Sequence, residues 1–185
     1  IEYLLKMPDK HSMQGIRELA MIALMYESGS RVQELIDLRV GDIAFRSPNT
    51  LTLTGKGNKA RVIPISSNAA DIVKAYLNSA GICDMVHPVF VNRYDKPLSR
   101  SGVSYVLNKY GQMARKARPD LFPSKLHPHI LRHSKAMHLL ENGVNLIYIR
   151  DFLGHSSVTT TEIYARCNPE LKRKYIEQAG SLITE

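Results

Sequence analysis

The stretch HPHILRHS, residues 127 to 134, places three histidines and one arginine within eight positions. Three kinds of chemistry fit such a gathering: metal ligation, a charged and capped helix start, or a pocket that holds a phosphate. On a helix, His129 and Arg132 share a face because they are three residues apart, while His127 and His133 point elsewhere. That geometry weakens the metal reading. HPH offers two imidazoles, but no third ligand or partner carboxylate follows at a workable spacing, and the HExxH signature of zinc hydrolases is missing. A histidine beside a helix start is commonly a hydrogen-bonded structural residue. The HxxR pair alone therefore leaves the structural and phosphate-binding readings open.

The surrounding charge suits a polyanion. The 185-residue chain has a formal net charge of +8, and it is unevenly placed. Residues 1–90 hold ten Lys/Arg against nine Asp/Glu, whereas residues 91–185 hold fifteen against eight. The densest part is 91–135, where ten cations face only Asp95 and Asp120. This is the electrostatic footprint of a nucleic-acid binder, although a solvated basic face that serves solubility carries the same signature.

Size and composition, 44% hydrophobic and 23% charged, place the chain among soluble globular proteins of about one domain. No run approaches the roughly 18 apolar residues of a membrane span, and the N-terminus lacks the order of a signal peptide. Ile1 in place of Met points to an excerpt of a longer chain. Cys83 and Cys167 stand far apart, outside any C-x-x-C spacing, which argues against a disulfide framework, excludes a zinc ribbon and suits a reducing cytosol.

The elements that must position these residues are mostly helical. MQGIRELAMIALMYESG repeats apolar residues at helical spacing and ends at Gly29, and SRVQELIDL reads as a short helix capped by Ser30. TLTLTG and ARVIPI are β-rich runs joined by GKGNK, a hairpin. Helices are predicted over SNAADIVKAYLNSAG, over the basic amphipathic SRSGVSYVLNKYGQMARKA, and over PHILRHSKAMHLLENG, with Pro128 in its first turn. NLIYIRDFLG, SVTTTEIYARC and PELKRKYIEQAG follow as shorter ones. The fold class is α+β, mainly helical with a small antiparallel hairpin or sheet.

Four blocks stand in order: ESGSRVQELIDLRVGDI, TGKGNKARVIPI, HPHILRHSKAMHLLENG and FLGHSSVTTTEIYARC. Together they resemble the catalytic domain of tyrosine recombinases, the phage-integrase family, over nearly the whole chain. The resemblance implies one catalytic domain over 1–185, with the family's N-terminal DNA-binding helical domain outside it. It singles out Arg31, Lys56, His129, Arg132, His155 and Tyr164. His127 stands where the family more often has Ser or Thr, and Met137 where Thr is common.

Elementary chemistry agrees with the roles so implied. A phosphodiester under attack gains negative charge, so fixed cations must surround it. Arginine stays charged and its planar fork grips two phosphate oxygens, which suits Arg31 and Arg132 as a clamp. Arg31 also has Glu34 at i,i+3, a partner that can orient the guanidinium. Lys56, between hairpin glycines, can protonate the departing 5′ oxygen, although Lys59 and Arg61 are placed to touch phosphate as well. Histidine titrates near neutrality, so His129 can accept the nucleophile's proton and His155 can donate to a nonbridging oxygen, while His133 braces the Arg132 helix from behind. Tyr164, one of nine tyrosines, is the implied nucleophile, its phenol activated by neighbouring cations.

The expected activity is metal-free and ATP-free cleavage and rejoining of DNA through a 3′-phosphotyrosyl link, in the bacterial cytoplasm and with no cofactor. The expected partners are double-stranded DNA and further copies of the protein in a tetrameric synapse, with no membrane. A noncatalytic DNA-binding module would share the charge, a type IB topoisomerase would share the chemistry, and a metal hydrolase would use the HPH histidines.

Overall fold

The computed structural model describes residues 1–55 and 57–154. Along them run α1 (Glu2–Leu5), α2 (Met13–Ser28), α3 (Val32–Ile36), a 3-10 turn (Val40–Asp42), β1 (Ile43–Ala44), β2 (Thr50–Thr54) and β3 (Ala60–Pro64), then α4 (Ser67–Ala80), α5 (Arg100–Ala117), α6 (Pro128–Glu141) and α7 (Leu146–Leu153). The mainly helical α+β class is therefore observed. The chain forms two compact units, Ile1–His133 and Ser134–Glu185.

In the first unit α2 is the central helix. Ser12 Oγ accepts from the Gly15 amide at 3.1 Å to start it. Gly29 ends it in the left-handed region, φ 55°, a conformation that a side chain resists. Leu19 to Met25 are buried at every position, so α2 is surrounded by other elements rather than lying amphipathically on the surface. Its main neighbour is α4, which turns Ala69, Ala70, Val73, Tyr76 and Leu77 inward. Tyr76 also stacks on Phe90, with centroids 5.7 Å apart.

Helix α5, capped by Ser99, buries Val103, Val106, Leu107, Tyr110 and Ala114 and leaves Ser101, Tyr105, Gln112, Arg115 and Lys116 exposed. It is joined to α2 by a polar network around the buried Glu18. Tyr110 Oη donates to Glu18 Oε2 at 2.6 Å, Lys109 Nζ donates to the same oxygen at 2.9 Å, and Gln14 Nε2 donates to Oε1 at 2.8 Å. Burial by itself would raise the Glu18 pKa, but hydrogen bonds from Tyr110, Gln14 and Lys109, with the Lys109 charge, hold it below its ordinary value.

The hairpin forms as expected, with Thr54 opposite Ala60 and Leu51 opposite Ile63. Leu51, Leu53 and Ile63 face the core while Thr52 and Val62 face outward. The turn runs through positive φ at Gly57 (76°) and Asn58 (58°). A third strand, β1, adds antiparallel to β2 through Ile43 opposite Leu51. Two residues are too few to carry an alternation in sequence, so only pairing with β2 reveals it.

One cap differs from expectation. Helix α3 starts after Arg31 rather than after Ser30, because the Glu34 carboxylate accepts from the Arg31 backbone N–H at 2.7 Å and so terminates the helix itself. Ser30 is buried, and among the described residues its hydroxyl has no hydrogen-bond partner.

In the second unit Ala136 and Leu140 of α6 and Ile149 and Leu153 of α7 form a buried cluster. Asn145 caps α7 at the Ile147 amide, 2.8 Å, and Gly154 closes it at φ 65°. The helices predicted over SVTTTEIYARC and PELKRKYIEQAG lie outside the described residues. Among those described, no helix is long and apolar enough to cross a membrane.

Candidate active site

The corner between α2 and α3 organises the candidate site. After the left-handed Gly29 the chain makes two steps to Arg31, whose extended backbone (φ −72°, ψ 153°) precedes the first turn of α3. Glu34, one turn on, receives the Arg31 backbone N–H on Oε2 and the Arg31 guanidinium on Oε1, at 2.7 and 2.9 Å. The expected i,i+3 pairing is thus formed. The Arg31 side chain stays 40% exposed while that of Glu34 is 3% exposed, so the cation reaches solvent and its anchor does not.

Arg61 completes the carboxylate's shell from β3. Its Nη1 donates to Glu34 Oε1 at 2.7 Å and its Nη2 donates to Oε2 at 2.8 Å, a fork-to-fork pair. Burial works to raise the Glu34 pKa, but the hydrogen bonds from Arg61 and from the Arg31 amide and guanidinium, with the Arg61 charge, hold it below its ordinary value. The sequence left Arg61 open as a phosphate contact; the structure shows its pairing with Glu34. A signal was present: alternation along ARVIP places Arg61 on the same side as Ile63, and an inward arginine needs a carboxylate.

Arg132 approaches the same corner from α6. It is 5% exposed, and its Nη1 donates to the Gly29 carbonyl oxygen at 2.6 Å. The C-terminal carbonyls of a helix carry partial negative charge, so a guanidinium fits there electrostatically. Arg31 and Arg132 are therefore brought to one short segment, Gly29 to Arg31.

His129, one turn before Arg132, is exposed at the start of α6, its ring edge-on to that of His127 with centroids 6.3 Å apart. His133, expected to brace the Arg132 helix, is exposed. No group of three or more His, Cys, Asp or Glu side chains able to hold a metal occurs among the described residues. Lys56, His155 and Tyr164 lie outside the described residues; Lys56 falls between the turn residues Gly55 and Gly57.

This arrangement can hold an anion: one half-exposed guanidinium set by a buried carboxylate, and a second, buried guanidinium fixed on a helix end. Comparisons with known proteins give the family. Residues 1–170 match the phage integrase family. The tyrosine recombinase XerD of Halalkalibacterium halodurans is 42% identical over 168 residues, covering 89% of this chain and 54% of that protein. Tyrosine recombinase XerC of Bacillus subtilis is 33% identical over 179 residues, covering 94% of this chain and 57% of its own length. The chain thus spans about half the length of the curated relatives it matches. Among solved structures, XerA recombinase shares the fold with a TM-score of 0.78 at 24% identity, over 96% of this chain and 60% of that one. XerH site-specific recombinase bound to its palindromic difH substrate after cleavage does so with a TM-score of 0.79 at 23% identity, over all of this chain and 51% of that one. On the match across residues 1–170, the chain belongs to the phage integrase family.

Proposed function

We propose that the chain is the catalytic part of a site-specific DNA recombinase that acts through a covalent 3′-phosphotyrosyl intermediate. The observation that carries this reading is the convergence of Arg31 and Arg132 on the Gly29–Arg31 corner, each held by a hydrogen bond that fixes where its charge sits. Two fixed guanidinium groups stabilise a phosphorane-like transition state without rearranging as its charge develops.

In the proposed step the Tyr164 phenol loses its proton to His129 and its oxygen forms a bond to the scissile phosphorus. The bond from phosphorus to the 5′ oxygen breaks, and that oxygen leaves with a proton from Lys56. Arg31, Arg132 and His155 hold the nonbridging oxygens. Attack by a 5′ hydroxyl from another strand reverses the sequence and expels Tyr164. One phosphodiester is exchanged for another, so the cycle consumes no ATP, and the charge chemistry is assigned to side chains rather than to a metal.

The DNA surface includes the basic segment 91–135, within which α5 exposes Gln112, Arg115 and Lys116. Recombination needs two duplexes, which supports a tetrameric assembly on DNA in the bacterial cytoplasm. XerH, whose structure was solved with difH DNA, is the precedent for a DNA complex.

The test uses full-length protein containing this chain and a nicked cognate duplex that loses its 5′ strand after cleavage. A trapped covalent adduct together with strand exchange between two sites supports the reading. Adduct formation with supercoil relaxation and no exchange indicates a topoisomerase, and binding without adduct indicates a noncatalytic module.

A further inference from the structure

We infer that Arg61 is a positioning residue for strand cleavage: it sets Arg31 through Glu34 and does not itself hold the DNA phosphate. The inference rests on the reading that Arg31 clamps the scissile phosphate. Among the described residues the Glu34 carboxylate accepts four hydrogen bonds, two on each oxygen. Arg61 supplies one to each, the Arg31 guanidinium one to Oε1 and the Arg31 backbone one to Oε2. An ionised carboxylate has about four acceptor positions, so this one is saturated and its plane is fixed.

The order of burial separates the roles. Glu34 is 3% exposed, Arg61 15% and Arg31 40% by side chain, which places the anchor inside, the Arg61 brace at its edge and the working cation outermost. Arg61 holds both oxygens from a strand, whereas Arg31 touches the carboxylate through a single guanidinium nitrogen. The strand-borne fork therefore dictates where the carboxylate lies, and the carboxylate dictates where Arg31 lies. Without Arg61, Glu34 would keep full charge with the Arg31 side chain as its one cationic partner among the described residues, drawing Arg31 inward and away from a ligand.

The same contact seats the hairpin. A Cβ on Gly55 would stand 3.2 Å from Glu34 Oε1 and 3.8 Å from Arg61 Nη1, so the first residue of the turn that carries Lys56 lies against this ion pair. Loss of Arg61 has two routes to harm, through Arg31 or through Lys56, and they are chemically separable.

The experiment measures covalent-adduct formation on nicked cognate DNA by the full-length recombinase, with DNA binding and its salt dependence measured in parallel. Arg61→Ala is expected to slow cleavage about 10²-fold, the scale of a misplaced catalytic group, and to change affinity and salt slope by no more than Arg31→Ala does. Arg61→Lys, which keeps the charge without the fork, is expected to recover part of the rate and carries the test should the alanine variant fail to fold. Arg61→Ala combined with Glu34→Gln is expected to be no slower than Glu34→Gln alone, because both act on one path. A substrate with sulfur at the bridging 5′ position is expected to leave the Arg61→Ala defect in place.

A salt slope reduced by about one further phosphate contact when Arg61→Ala is added to Arg31→Ala would overturn the inference in favour of direct DNA binding. Multiplying defects in the double variant, or full rescue by the sulfur substrate, would overturn it as well. Normal cleavage by Arg61→Ala beside a dead Arg31→Ala defeats the Arg61 role alone. Normal cleavage by Arg31→Ala defeats the site reading, and the inference with it.

Discussion

Arg132 Nη1 lies 2.6 Å from the carbonyl oxygen of Gly29, so the proposed second arm of the phosphate clamp is also the group that closes the C-terminus of α2. Both residues are buried. Arg132→Ala should therefore fail twice. Leaving a buried carbonyl unpaired is expected to cost about 1–3 kcal/mol in a denaturant titration. Removing the cation is expected to lower cleavage at saturating DNA by about 10²-fold or more, the scale of a lost oxyanion donor. An Arg132→Ala protein as stable as the parent would show that the Gly29 contact contributes nothing to folding.

Tyr164→Phe keeps the ring and removes the nucleophilic oxygen. It is expected to bind cognate DNA with unchanged affinity and to form no covalent adduct on the nicked duplex. Peptide mapping of the wild-type adduct should place DNA on Tyr164. An adduct on Tyr148 or Tyr175 would refute the assignment.

Lys56 and Arg132 should fail in chemically different ways. Lys56→Ala is expected to slow cleavage by roughly 10²–10⁴-fold, as for a lost general acid. Sulfur at the bridging 5′ position makes a leaving group that needs no proton, and it should restore most of that rate. Arg132→Ala should gain nothing, since the sulfur leaves the nonbridging oxygens as they were. Rescue of both variants, or of neither, would remove the division of labour and make Lys59 the next candidate acid.

EDTA is expected to leave adduct formation unchanged, because arginines supply the positive charge in the proposed mechanism. Raising salt is expected to weaken DNA binding steeply, with log affinity falling linearly in log salt as counterions are released. Activity lost in EDTA and restored by zinc or magnesium would revive the metal reading of the HPH histidines.

The Glu18 network sets an acid limit on stability. The folded protein holds the Glu18 carboxyl below the ordinary 4.5, so its ionised form favours folding. That contribution is fully present above pH 4.5 and is lost as pH falls through the lower folded-state value. Glu18→Gln is expected to cost about 1–3 kcal/mol at neutral pH by leaving donors from Tyr110 and Lys109 imperfectly matched. The gap to the parent should narrow in urea titrations below pH 4.5. A gap that stays constant from pH 7 to 3 would show that the Glu18 charge has no part in it.

Local pattern determined much of this protein. The spacing of Ile16, Leu19, Ala20, Ala23 and Leu24 and the stop at Gly29 set α2 almost to the residue, and the β-rich runs around GKGNK set the hairpin, because periodicity and left-handed glycine positions are properties of a few consecutive residues. The ordered blocks carried the family, and HxxR put His129 and Arg132 on one helix. Beyond the local Arg31–Glu34 pair, the sequence could not decide which cation meets which anion. Arg61 meets Glu34, 27 residues away, because pairing of β3 with β2 turns it inward. Ser30 has the better capping chemistry, yet Glu34 terminates α3 at Arg31 because its carboxylate is held there by two arginines. Glu18 met Tyr110 from 92 residues away. A buried charge selects its partners by desolvation, which depends on everything that packs around it, and only the tertiary structure contains that information.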